Sequence, residues 1–156
     1  MFYKKSAKTN NTEFAYNMNN STSLRVGKKG EELAEKYLRK KRYLFISRNY
    51  WSESGELDLV FLHHRTLVFV EVKTRRGNLF GTGRESVDIN KQRNIKNTSK
   101  EFIRAHCINN KVPFFIFKIP IYLKYTKIRY DVIEVSVDDS ERDKYFIKEH
   151  LKSYFS

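Results

Sequence analysis

Cysteine is almost missing: Cys107 is the only one in 156 residues. A single thiol excludes a disulfide framework and any zinc site built on cysteines. It leaves Cys107 to pack as a small apolar residue. Acid is also short. The chain carries 31 Lys and Arg against 18 Asp and Glu, a net charge of +13. Such an excess points to a polyanionic partner, nucleic acid first; a general lysine-rich composition is the plainer account. No apolar run is long enough to span a bilayer, and the opening MFYKKSAKTN lacks the apolar centre of a signal peptide. No membrane partner is therefore expected, and the expected compartment is cytoplasmic. Proline occurs twice, at 113 and 120, which marks the run around them as an edge strand or an irregular one.

What is present is a globular composition, 40% hydrophobic and 15% aromatic, in a chain long enough to bury a core without metal or disulfide staples. Residues 1–22 are polar and Asn-rich and read as a flexible leader, with one domain over 23–156. A helix is expected from about Ser23–Gly27 to Arg42, because Leu33, Ala34, Tyr37 and Leu38 recur at helical spacing. Strands follow from Tyr43 and on both sides of a turn at His63–Thr66. A second helix is expected over about Glu85–His106, with Val87, Ile95, Thr98 and Phe102 on one face. Two further strands, about 113–123 and 127–137, and a closing helix in DKYFIKEHLKSYF complete an αβββαββα order. That order predicts a mixed α/β or α+β domain.

The stretch GELDLVFLHHRTLVFVEVKTR, Gly55–Arg75, sets charges into what otherwise reads as buried sheet. A turn centred between His64 and Arg65 makes Asp58 face Glu71 and Glu56 face Lys73. Side chains alternate along a strand, so these four share one side, while Leu57, Leu59 and Phe61 meet Val72, Val70 and Val68 on the other. Facing carboxylates repel unless something positive lies between them, and a hard divalent cation is the natural occupant. The alternative is a solvated ladder in which Lys73 pairs with Glu56 and Asp58. Against it, LVFVEVK is too apolar for a strand with one wet face. On the first helix Glu31 falls at the border of the apolar stripe, whereas Glu32 points away, and Gly30 sits at the stripe's centre. His63 and His64 form the turn rather than a zinc site, and Trp51 and the other aromatic residues are expected mostly in the core.

Basic residues would hold phosphate. Region 25–42 carries eight Lys or Arg against three Glu. Arg75, Arg76 and Arg84 of the GTGR loop lie just past the acidic cluster, and the second helix carries Lys91. Such charges grip phosphates without reading bases, though lysines on helix faces are commonly just solvated.

The segments GEELA (30–34), GELDLV (55–60), FVEVKTR (69–75) and IRYDVIEV (128–135), in that order, resemble the YraN-type family of the PD-(D/E)XK nuclease superfamily, related to Holliday-junction resolvases. The resemblance spans Gly27–Val135. It implies a restriction-endonuclease-like α/β fold with a mixed central sheet flanked by helices. It also implies a Mg- or Mn-dependent endonuclease acting on DNA, with branched or structured DNA among its candidate substrates. Asp58 and Glu71 would be metal ligands, Lys73 would stand beside the attacking water, Glu31 would be a further catalytic acid, and Glu56 a supporting one. A homodimer is an assembly it allows. Residues 112–126 are longer than the usual connection, and the leader is extra. A non-catalytic nucleic-acid-binding module on the same fold is the alternative.

Overall fold

In a computed structural model the chain is described over residues 11–76, 87–138 and 144–156, with side chains from Ser23 onward. Helix α1 spans Asn11–Lys40. Strands β1 (Leu44–Ser52), β2 (Gly55–His63) and β3 (Thr66–Arg76) form a meander, and α2 (Ile89–His106) crosses over. A two-stranded hairpin, β4 (Lys111–Ile116) and β5 (Ile119–Lys124), precedes β6 (Lys127–Asp138) and β7 (Lys144–Phe155). The main sheet has the order β1-β2-β3-β6-β7. Neighbours run antiparallel except β3 and β6, which are parallel over Thr66–Arg76 and Lys127–Val137.

Helices cover both faces of this sheet, so the central strands read as almost continuous apolar runs instead of alternating. Ala34 and Leu38 of α1 close one layer over Leu59, Phe61, Val68, Val70, Ile133 and Val135. Ile95 and Phe102 of α2 close the other over Leu57, Val60, Leu62, Leu67, Phe69 and Val132. Cys107 packs against this second layer, as its solitude suggested. Leu57 was expected opposite Val72 in the first layer and instead belongs to the second. α1 can lie close to β3 because position 30 is glycine: a Cβ there would meet Thr74 Oγ1 at 1.9 Å. A mixed five-stranded sheet between helices is the α/β, restriction-endonuclease-like architecture expected from the sequence.

Four elements differ from expectation. α1 begins at Asn11, so residues 11–22 continue the helix backward from the expected start near Ser23. α2 begins at Ile89, not Glu85, because the Asp88 carboxylate accepts from the N–H groups of Asn90 and Lys91 and caps the helix there. The run 113–123 is a hairpin rather than one strand. Its turn residues Phe117 and Lys118 both have positive φ, 48° and 67°, a conformation that Asn-Gly adopts readily and Phe-Lys does not. The closing segment is strand β7, not a helix. β6 would otherwise expose a long unpaired edge, and β7 pairs along it with Tyr145 and Ile147 entering the α1 layer and Leu151, Tyr154 and Phe155 the α2 layer.

Candidate active site

The β2–β3 turn fixes the register. His63 pairs with Thr66 around a two-residue His64–Arg65 loop, and the ladder runs in that register to Leu59 and Val70. There it stops. Asp58 turns its carboxylate into the ladder's place, and Oδ2 accepts a 2.7 Å hydrogen bond from the Val72 N–H. The expected Asp58–Glu71 and Glu56–Lys73 positions thus lie where the two strands part, and β3 continues alongside β6 instead.

Around this gap the charges converge from both helices. Glu71 is 4% exposed; one oxygen meets Lys73 Nζ at 2.7 Å and the other Lys91 Nζ of α2 at 3.1 Å. Asn49 of β1, at a left-handed φ of 48°, donates its amide to Glu31 of α1 at 3.1 Å and to Glu56 at 3.3 Å. Asp58 lies between these groups. Burial and the Glu71 carboxylate push its pKa up to about 7, against the pull of the Val72 N–H and Lys91, while Glu31 adds to the rise. Burial works against the Lys91 ammonium, but Glu71, Asp58 and Glu56 outweigh it and lift its pKa above the ordinary lysine value. The carboxylates that raise both values make the surroundings of Asp58 favour positive charge.

Glu31, Glu56, Asp58, Glu71 and Lys73 are therefore brought into one neighbourhood. Lys91, expected to hold phosphate, spends its charge on Glu71. Arg75 Nε stands 3.8 Å from Glu134, Arg76 ends β3 in solvent, and Arg84 with the GTGR loop lies outside the described residues. Glu32 is half-buried, not turned fully outward. His63 stacks on Tyr43 with centroids 3.8 Å apart, so it is a packing residue. Trp51 is exposed, not part of the core, and sits across β1–β2 from Glu56. Among the described residues no three His, Cys, Asp or Glu form a ready metal cage.

Three further acids are buried outside the expected set, and of these Glu134 and Glu35 were overlooked in the sequence. Glu134 pairs with Lys73 across β3–β6 and is 2% exposed, with neither oxygen hydrogen-bonded among the described residues. Lys148 Nζ approaches it at 3.5 Å. The signal was available, since Glu134 interrupts an apolar strand just as Glu71 does. Glu35 of α1 is buried and ion-paired to Arg39 and Arg48. Asp131 is buried in a bidentate pair with Arg129, with His150 Nε2 at 3.0 Å and the Ser153 N–H at 3.0 Å.

This chain resembles proteins across much of its length. The model of the uncharacterised protein family UPF0102 matches residues 30–135. A UPF0102 protein of Clostridium perfringens is 32% identical over 129 residues, 81% of this chain and 93% of that protein. One from Alkaliphilus oremlandii is 34% identical over 131 residues, covering 84% and 97%. Another, from Syntrophomonas wolfei, is 37% identical over 116 residues, covering 74% and 88%. The matched span holds every acid and lysine placed at the gap between β2 and β3, and the chain belongs to the UPF0102, or YraN, family of the PD-(D/E)XK superfamily.

Proposed function

We propose that this protein is a metal-dependent nuclease that hydrolyses phosphodiester bonds in DNA. The observation that carries the reading is the parting of β2 and β3 at two buried carboxylates, Asp58 and Glu71, with Lys73 against the second. Burial and then the Glu71 carboxylate push the pKa of Asp58 up to about 7; a divalent cation would relieve the repulsion between the two carboxylates. The donors fit. Mg²⁺ or Mn²⁺ takes hard carboxylate oxygens, commonly one or two per site, and completes its shell with water. Asp58 and Glu71 would hold the ion, whose charge would polarise the phosphoryl oxygen and acidify bound water.

The chain's own groups supply the rest. Lys73 is held by Glu71, which keeps its ammonium aimed at the site, where it orients a water or stabilises charge on the phosphoryl oxygens. Glu31 and Glu56, tied through Asn49, are the acids on the α1 side of the gap. Water attacks phosphorus, the bond to the leaving oxygen breaks, and that oxygen takes a proton.

A second reading, a nucleic-acid-binding module without catalysis, draws on two facts. Both oxygens of Glu71 are already neutralised by lysines, and no three-ligand cage is formed among the described residues. Incubation with supercoiled plasmid and Mn²⁺ separates the readings. We expect nicking by the protein and a loss of at least about 100-fold in Glu71→Ala. Equal rates for the two would refute the assignment of Glu71. Salt-sensitive binding with no cleavage in Mg²⁺ or Mn²⁺ would establish the binding module.

A further inference from the structure

The β4–β5 hairpin stands apart from the main sheet and is anchored at its base. Val112 is fully buried and pairs with Leu123, which packs against the α2-side core. Partners in a ladder share a face, so the opposite face carries three successive rungs: Lys111 with Lys124, Pro113 with Tyr122, and Phe115 with Pro120. Phe115 is 62% exposed and Tyr122 49%. At the tip Phe117 is 95% exposed on a positive-φ turn. Exposed apolar surface this concentrated marks a contact site.

The charges indicate the occupant. Lys111 and Lys124 face each other directly, and like charges in that position repel unless an anion joins them. No Asp or Glu occurs between Glu101 and Asp131, while Arg104, Lys111, Lys118, Lys124, Lys127 and Arg129 do. A second copy of this chain is a poor occupant. It brings another +13, and a proline in each strand interrupts the edges through which a strand would add. Two lysines one rung, about 7 Å, from an exposed tyrosine ring match a phosphate followed by a base.

We propose that this outward face binds single-stranded nucleic acid, with a phosphate held between Lys111 and Lys124 and successive bases stacked on Tyr122 and Phe115. The proposal rests on the nucleic-acid reading above and names what that reading lacks, a place for unpaired bases. It lies on a different element from the acidic gap, so binding and cleavage can be tested apart. A nuclease that grips unpaired bases here would favour DNA whose strands are already separated.

Fluorescence anisotropy of a labelled oligothymidylate 20-mer, with the full chain in EDTA, tests it. The variant Phe115→Ser/Tyr122→Ser should bind at least about tenfold more weakly than wild type, while affinity for a blunt duplex of equal length changes less than about twofold. Lys111→Glu/Lys124→Glu should lose more and flatten the salt dependence. Because all four side chains lie at the surface, unchanged thermal melting is expected. Phe117→Asn, which suits the turn, serves as a second variant and should also weaken oligonucleotide binding. Ring variants that bind the 20-mer as wild type does would overturn the proposal. So would ring-dependent binding to phosphatidylserine vesicles without any to the 20-mer, or a wild-type dimer that the ring substitutions dissociate. Ring-dependent binding by a protein that never cuts plasmid would remove the nuclease and leave this site standing. Cutting with ring-independent binding would do the reverse.

Discussion

Two aspartates of the main sheet, Asp58 on β2 and Asp131 on β6, are tuned in opposite directions by what surrounds them. Asp58 is buried with a carboxylate beside it and only one backbone N–H in its favour, so its pKa is pushed up to about 7. Burial alone would raise Asp131 too, but His150, Arg129 and the Ser153 N–H together hold it below the usual carboxylate range. The first arrangement suits a group awaiting a cation; the second is complete in itself and ties β6 to β7. The sign of the pH effect follows. A carboxyl whose folded pKa is depressed adds stability above its unfolded value of 3.8, and that contribution disappears as pH falls through the folded value. Asp131→Asn is therefore expected to lose about 3 kcal/mol at pH 7, because Arg129 is left half-buried without its anion. Urea titrations of the two proteins should show the gap narrowing below about pH 4. A constant gap from pH 7 to pH 3 would mean that the charge on Asp131 contributes nothing.

At the scale of elements, the packing of α1 on β3 hinges on a missing side chain. Thr74 Oγ1 lies where a Cβ on residue 30 would be, and that hydroxyl is buried without a hydrogen-bond partner among the described residues. Gly30→Val should push helix and strand apart and lower the urea midpoint, at a cost of about 1–3 kcal/mol for overpacking. Adding Thr74→Ala should restore part of that loss, whereas no recovery would place the strain elsewhere. This close approach was legible, because Gly30 sits at the centre of the apolar stripe of α1. The β2–β3 register was legible for a related reason: only one turn centre keeps the apolar residues of both strands together. What it did not reveal is that the ladder ends at Leu59 and Val70, since nothing in a list of alternating residues shows a side chain displacing a backbone bond. Nor were β7 and the β4–β5 turn legible. KYFIKEHLKSYF fits both helical and strand periods, and two irregularities in its pairing with β6 blur the alternation further. Phe117–Lys118 carries no turn signal at all. Asp131 and Glu35 each pair with a near neighbour in sequence, Arg129 or Arg39, and with a distant group, His150 or Arg48, that only the fold brings to them.

For the molecule as a whole, the excess positive charge and the acidic gap have opposite consequences for a polyanion. On the proposed reading the gap would repel phosphate until cations neutralised it, while the basic residues of α1, α2 and the hairpin would attract phosphate at any metal concentration. Binding without metal should therefore be driven by release of counterions from the nucleic acid and fall steeply with salt. Neutralisation of roughly five phosphates would reduce duplex affinity on the order of 10²–10³ between 50 and 200 mM salt. Anisotropy titrations in EDTA across that range measure the slope directly. The carboxylates add a second, distinguishable expectation. Glu71→Gln should bind duplex in EDTA at least as tightly as wild type, since a negative charge next to the phosphate path has been removed. The same substitution should abolish any gain in affinity that Mn²⁺ gives the wild type, because the ion loses a ligand. If affinity is flat with salt, the surplus of lysine and arginine reflects composition alone. If Glu71→Gln binds more weakly in EDTA, Glu71 acts by holding Lys73 and Lys91 in place for phosphate rather than by waiting for a metal.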